Sequence, residues 1–342
     1  MDTKLIFRPV RETDHDSLQK LIGSISGGMT SLPDHSDYLE ERISYSLRAF
    51  DHRVSKPGGE TYLFVLEDLD RGELVGTSGL LSRVGGFDPF YTYKIQNNLQ
   101  VYEPQNVRNN VQTLELVKNH KGPSEICSLF LHPDYRKHGV GKLLSKSRFC
   151  FMKAFPERFD SEIIAELRGF LDESGRSPFW EGVGKNFFWR DYYRADVLSG
   201  IGEKDFIEAL MPEHPIYIKL LPKETQEKIG AVHAQSEPAR QILLKEGFQK
   251  TDEVDIFDAG PILKAQREQL LSWKNCQTVL TEAQTKPFDS TGQYLITNNQ
   301  LAFRATLAKA RLSNNGLSQI SGETAEILQV ESGDSVQFLQ IG

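Results

Sequence analysis

A strand that runs into an Arg-x-x-Gly-x-Gly turn and then opens a long amphipathic helix is the feature that most constrains this chain. Ile126, Leu129, Phe130 and Leu131 form an apolar run, His132-Pro133-Asp134 marks a turn, and Arg136-Lys137-His138-Gly139-Val140-Gly141 follows. Val140, Leu143, Leu144, Phe149 and Met152 then recur near the helical period. The first turn of such a helix bares backbone N–H groups, and the aligned peptide dipoles add partial positive charge at the same point. The combination is a seat for a pyrophosphate. The string alone arises by accident in roughly one chain in ten of this length, so the strand before it and the helix after it carry the assignment.

Composition sets the bounds. With 342 residues the chain is long enough for two domains. It carries 39% hydrophobic and 25% charged residues and a net charge of −7, which argues against a general affinity for nucleic acid or anionic membrane. An anionic ligand must be captured locally. Cys127, Cys150 and Cys276 are far apart and include no Cys-x-x-Cys pair, so neither a disulfide framework nor a metal site is expected. The first residues lack the apolar core of a signal peptide, and no run of 18 apolar residues occurs. These features predict a cytoplasmic protein.

Along the chain, Leu5 to Val10 reads as a strand, and Arg11 to Asp14 starts a helix carrying Leu18, Leu21 and Ile22. A loop at Gly27-Gly28-Met29-Thr30-Ser31-Leu32-Pro33 precedes a helix from about Tyr38 to Phe50. Thr61 to Glu67 and Leu74 to Leu81 read as two antiparallel strands joined at Asp68-Leu69-Asp70-Arg71-Gly72. Val84 to Gly122, rich in aromatics and Asn, predicts irregular strands or an insertion, with Phe87, Phe90, Tyr91 and Tyr93 as packing groups. Ile163 to Leu167 is a strand, and Ser177-Pro178-Phe179-Trp180 caps a helix reaching Phe187 and Phe188. Ile229 to His233 predicts a short strand, followed by a helix and strands at Val254 to Phe257 and Ile262 to Lys264. Ser332 to Ile341 alternates like an exposed or edge strand.

This order of elements around Arg136, Gly139 and Gly141 resembles the GCN5-related N-acetyltransferases (GNAT). In the second half, Ser236, Ala239, Leu243, Gly247 and Phe248 are spaced like the last helix of that superfamily, without a second Arg-x-x-Gly-x-Gly. The fold expected is therefore α+β: tandem GNAT-like acyl-CoA N-acyltransferase lobes with mixed, mostly antiparallel sheets, residues 1–200 holding the cofactor turn and residues 201–342 a degenerate copy with a tail. An unrelated α+β second domain is the alternative.

A coenzyme A thioester fits such a seat, with its pyrophosphate on the turn and its pantetheine arm added along the Leu129 to Leu131 strand. Predicted cofactor contacts are Leu129, Leu131, Arg136, Lys137, Gly139, Val140 and Gly141. Acyl transfer to an amine then needs a neutral nucleophile and a proton for the departing thiolate, work suited to histidine near pH 7. Of eight histidines, His15, His35 and His52 read as surface, His120, His132 and His138 flank the strand and turn, with His138 a candidate phosphate contact, and His214 precedes Pro215. His233 stands apart at a strand end before a helix start.

Several strings in order resemble the arginine N-succinyltransferase family: Met29-Thr30-Ser31-Leu32-Pro33, Ser128-Leu129-Phe130-Leu131, Leu144 to Phe149, Ser177-Pro178-Phe179-Trp180, His214-Pro215-Ile216-Tyr217 and Asp255-Ile256-Phe257-Asp258. The resemblance runs from residue 4 to about residue 265 and gives no secure string beyond Arg267. It implies transfer of succinyl from succinyl-CoA to the α-amine of arginine in arginine breakdown, with no permanently bound cofactor. It also implies Leu129 at the succinyl-CoA contact and His233 as the proton donor, reaching in from the second lobe. Related enzymes accept ornithine, and some occur as paired α and β subunits, so acceptor and oligomeric state stay open. So does the carboxylate that must meet the guanidinium. The alternatives are an acetyltransferase or succinyltransferase acting on ornithine or another amine, and a non-catalytic module that binds CoA.

Overall fold

The computed structural model describes residues 4–25, 29–51, 53–86, 88–136, 139–200, 204–286, 288–312 and 316–341. Gly27, Gly28, His52, Phe87, Lys137 and His138, named above, lie outside the described residues. Helix and sheet are mixed, as an α+β chain requires. The chain divides into two compact units, one made of residues 1–82, 126–161 and 266–342, the other of residues 83–125 and 162–265. They do not follow the 200/201 boundary, because sheet pairing draws together segments far apart in sequence. No helix among the described residues is long and apolar enough to cross a membrane.

In the first unit, Leu5–Pro9, Thr61–Asp68 and Glu73–Leu81 form an antiparallel run that continues to the Ser124–Leu131 strand. The helices His15–Gly23 and Ser36–Asp51 cover it, burying Leu18, Ile22, Leu39 and Ile43 with Val10, Leu63 and Val65. Arg8 crosses from the first strand to the turn before the first helix, its Nη1 and Nη2 donating to both carboxylate oxygens of Asp14 at 2.7 and 2.9 Å and its Nε to Glu67 at 2.6 Å. A bidentate pair of this kind satisfies a buried cation.

The helix Val140–Ala154 packs through an aromatic cluster. The Phe151 ring lies 5.2 to 5.6 Å from those of Phe50, Tyr62, Phe64 and Phe303. All five helical positions read as apolar from the sequence, Val140, Leu143, Leu144, Phe149 and Met152, are buried.

The C-terminal segment carries more structure than its sequence suggested. Gly292–Asn298, Ser335–Gln340, Gln277–Gln284, Leu317–Ser321 and Ala305–Leu312 pair in that order, and the last pairs again with the first, closing a five-stranded ring. Ile296, Ala310, Ile320, Leu328, Val336 and Phe338 fill it. Ser335–Gln340 is therefore an interior strand, hydrogen-bonded on both sides, and not the exposed or edge strand its alternation predicted. Closure removes the edge. Ala305 pairs with Phe7, which ties the ring to the first strand.

In the second unit the strands run Glu162–Glu166, Pro261–Gln266, Gln249–Val254, Phe90–Tyr102, Val107–Asn119 and Ile216–Tyr217. The stretch read as irregular is a regular hairpin of two 13-residue strands, registered from Phe90↔Asn119 to Tyr102↔Val107. Its base is buried through Tyr91, Tyr93 and Leu114, packed with Phe179, Trp180, Val254 and Phe257. Its outer part, Asn97 to Tyr102 and Val107 to Asn110, is exposed on both faces, which hides the two-residue alternation that announces a strand. Ser177 Oγ accepts from Trp180 N–H at 3.1 Å and caps the short helix Pro178–Gly182. The strand expected from Ile229 to His233 is reduced to one bridge, Gly169↔Val232, because Gly230 turns the chain at φ 72°.

Phe151→Ala removes a ring that six aromatic neighbours share, and should lower unfolding stability by about 3–5 kcal/mol in a urea titration followed by fluorescence.

Candidate active site

The Ser124–Leu131 strand is interrupted by its own geometry. Ser128 sits at φ 51°, in the left-handed region, and the pleat is broken there as in a bulge. Its carbonyl accepts from Thr77 Oγ1 at 2.7 Å, its N–H donates to Ser31 Oγ at 3.2 Å, and its hydroxyl reaches the same Ser31 oxygen at 3.1 Å. The loop residue Ser31 and the strand residue Thr77 thus clamp a conformation that an L residue avoids. Register with the Glu162–Glu166 strand is confined to Ser124↔Ile163 and Glu125↔Ile164, at the start of the strand. Leu129 and Leu131, half-buried, follow the bulge and lead into the turn.

The turn has the form the sequence implied. After the single helical turn Pro133–Tyr135, Gly139 adopts φ 82° and caps the helix Val140–Ala154, whose first intrahelical bond runs from Leu143 N–H to Gly139 O at 2.9 Å. The N–H groups ahead of Leu143 are left by helix geometry without intrahelical partners. A Cβ built on Gly141 would meet no atom within 4 Å, so open space lies over the first turn. Arg136 is exposed, and its Nε donates to Leu131 O at 3.0 Å, fastening strand end to turn. Arg136, Gly139, Val140 and Gly141 are brought together as expected; Lys137 lies outside the described residues.

In the second unit, His233 follows the Gly169↔Val232 bridge, and its N–H donates to Arg168 O at 2.9 Å. Nδ1 accepts from Gln235 N–H at 3.3 Å, which places the proton of the neutral ring on Nε2. Partial burial, then the nearby Arg168 charge, lowers its pKa below the ordinary 6.5, against a smaller opposite pull from Asp258. The ring is neutral at pH 7.

Arg168 and Asp258 act on its charge, and with Glu166 and Asp255 of the same unit they are charged groups that sequence reasoning left unassigned. Asp258 is buried and accepts from Gly169 N–H and Gly260 N–H at 2.8 Å each and from the Tyr192 hydroxyl at 3.3 Å. A Cβ at Gly169 would fall 2.3 Å from Asp258 O, so only glycine fits that approach. Arg168 Nη2 donates to Asp196 at 3.1 Å. Glu166 closes its strand, and burial, reinforced by Glu125 and Asp255, pushes its carboxyl well above the ordinary 4.5, with Lys204 opposing. Asp255 is likewise pushed well above 3.8 by burial and by Asp258, although it accepts from Phe257 N–H and Asp258 N–H at 2.7 and 2.9 Å. Carboxylates crowded this way hold a cation well. The Asp255-Ile256-Phe257-Asp258 string was legible as a family string, but nothing in the sequence placed Glu166 beside it.

Comparison with known proteins now decides the family. The profile described as "Arginine N-succinyltransferase beta subunit" matches residues 5–272, and that of its C-terminal domain matches residues 277–340. The chain belongs to the arginine N-succinyltransferase beta-subunit family. Membership extends through the C-terminal ring, beyond the strings readable in the sequence. The arginine N-succinyltransferases of Salmonella schwarzengrund and Salmonella agona are each 40% identical over 337 residues, covering 98% of this chain and 97% of theirs. The solved structure of arginine/ornithine succinyltransferase subunit AI from Pseudomonas aeruginosa superposes with a TM-score of 0.91 at 35% identity, over 99% of both chains.

The acidic group has a cost in stability whose pH dependence is set by its sign. A carboxyl raised in the folded state keeps a proton that the unfolded chain gives up, so folding is penalised above the ordinary carboxyl pKa and not below it. Glu166→Gln should therefore raise the melting temperature by about 2–4 °C at pH 8 and leave it unchanged near pH 3, in thermal melts followed by circular dichroism.

Proposed function

We propose that this protein transfers the succinyl group of succinyl-CoA to the α-amine of L-arginine, giving N2-succinyl-L-arginine and CoA, in arginine catabolism. The single observation that carries the reading is the bulged strand at Ser128 running into the Gly139 turn, in a chain of the arginine N-succinyltransferase family. A GNAT-like ancestry for the cofactor-binding part accords with that strand, turn and helix.

Succinyl-CoA enters as co-substrate. Its pyrophosphate lies on the N–H groups of Gly139, Val140 and Gly141, with Arg136 and Lys137 supplying positive charge, and its pantetheine arm runs along Leu129 and Leu131. Beyond a bulge the ladder is disrupted, and the Leu129 N–H is the donor for the thioester oxygen, stabilising the oxyanion of the tetrahedral intermediate. His233 is the proton-transfer residue: its lowered pKa keeps the ring neutral at working pH, so it takes up the proton that the attacking amine sheds, and the imidazolium so formed protonates the departing CoA thiolate as the C–S bond breaks. Glu166 and Asp255 receive the cationic side chain of the acceptor, which supplies the counter-charge those carboxyls lack. Ornithine carries an ammonium there and would be held by one point charge where arginine offers a fork.

Free thiol release, followed with succinyl-CoA or acetyl-CoA against arginine or ornithine, tests the reading. Turnover is expected with succinyl-CoA and arginine; none with succinyl-CoA and either acceptor sinks it. His233→Ala should cut kcat by about 10²–10⁴ with CoA affinity retained, whereas a module that merely binds CoA would show no change. The wild-type rate should fall on the acid side, with its midpoint below pH 6.5, as the His233 ring protonates and its Nδ1 contact to Gln235 is lost.

A further inference from the structure

Arg148 lies in the third turn of the helix that carries the phosphate seat and is 1% exposed. Its Nε donates to Ser145 O at 3.1 Å and its Nη2 to Ser145 Oγ at 3.0 Å, both one turn back on the same helix. No carboxylate meets it among the described residues, and Nη1 has no hydrogen-bond partner there. Arg8 shows how the same unit otherwise buries a guanidinium, with Asp14 and Glu67 on three of its nitrogens. Arg158, also buried, is neutralised less directly, by the Ala49 carbonyl, the Tyr62 hydroxyl and a contact with Glu157. Arg148 alone of the three lacks any acidic neighbour. Burial pushes its guanidinium down to about 10, and the only charge-bearing group acting the other way is the Cys127 thiol. An isolated buried cation is strongly disfavoured, so a counter-charge is missing.

Packing locates the missing partner. A Cβ on Gly76 would meet Leu144, one turn before Arg148, together with Phe130 O and Leu131, so the helix runs back along the strand it follows and Arg148 falls one turn further, opposite the Ser128–Leu129 stretch. Cys127 and Leu129, flanking Ser128, are half-buried, so the neighbourhood is reached by solvent. The succinyl chain, three C–C bonds from thioester carbon to terminal carboxyl, spans about 4–5 Å to its outer oxygens, and a guanidinium fork closes the gap between strand and helix.

We infer that Arg148 binds the free carboxylate of the acyl donor and selects a dicarboxylic acyl thioester over a monocarboxylic one. The inference rests on the reading that the thioester lies at Leu129. It makes Arg148 the residue that distinguishes succinyl from butyryl, in which a methyl replaces the carboxylate, by a charge-assisted fork that butyryl cannot accept.

Binding of succinyl-CoA and butyryl-CoA to the wild-type protein by calorimetry, without acceptor, tests this apart from catalysis. The wild type should prefer succinyl-CoA by about 10²-fold or more. Arg148→Gln should abolish that preference, leaving butyryl-CoA and CoA affinities within about threefold. Arg148→Lys keeps the charge without the fork and should retain part of it; it also serves if the Gln variant does not fold, judged by its melting curve. Equal wild-type affinity for the two thioesters overturns the inference, and so does an equal loss of both thioesters in a folded variant, which marks Arg148 as structural. A wild-type preference for succinyl-CoA without turnover of arginine leaves Arg148 standing and removes the acceptor assignment instead.

Discussion

The Ser124–Leu131 strand depends on one serine held where serine does not rest. The left-handed region costs an L residue of order 1–2 kcal/mol, and Ser128 stays there because Thr77 takes its carbonyl and Ser31 takes its N–H and hydroxyl. If that clamp were released the strand would return to a regular pleat, and every residue after it would turn to the opposite face. Leu129, Leu131 and the entry angle of the Gly139 turn are therefore set by two hydroxyl side chains, one of them from a loop about a hundred positions earlier in the chain. Strain held by surrounding contacts is characteristic of a working site.

The second unit follows a different logic. There the ordering element is charge: Asp258 is fully engaged by backbone N–H groups and Tyr192, Arg168 is paired with Asp196, and Glu166 and Asp255 are left with raised pKa values. The first two are structural, since their bonds fix the chain around the Gly169↔Val232 bridge that positions His233. The latter two carry the electrostatic penalty. A penalty of this kind fits the acceptor role proposed for Glu166 and Asp255, since sites commonly trade stability for function.

Much of this was legible in the sequence where local chemistry is decisive. Gly139 announces the turn because its φ of 82° is one that L side chains rarely adopt, and the buried face of the helix after it shows in its period. Ser177-Pro178 announces its helix start for a similar reason. What escaped is non-local. Ser128 carries no sign of its φ, because the constraint comes from Thr77 and Ser31. The 90–119 hairpin projects beyond its packed base, so its strands lack the alternation that a half-buried sheet imprints. Ser335–Gln340 alternates like an exposed or edge strand yet is paired twice, since ring closure is a property of five strands together. The acidic group is spread over Glu125, Glu166, Asp255 and Asp258, and only folding makes it a group.

The pairing of Phe7 with Ala305 reaches into the ribosome's timetable. Translation at about 5–20 residues per second separates the two strands by tens of seconds. During that interval the Leu5–Pro9 strand, apolar and already able to pair with Thr61–Asp68, offers a bare edge to any other nascent chain. Its proper partner arrives only when the closing ring is nearly made. A fold with contacts this distant is slow to complete, and its yield in a cell is governed as much by how that edge is shielded during synthesis as by the stability of the finished molecule.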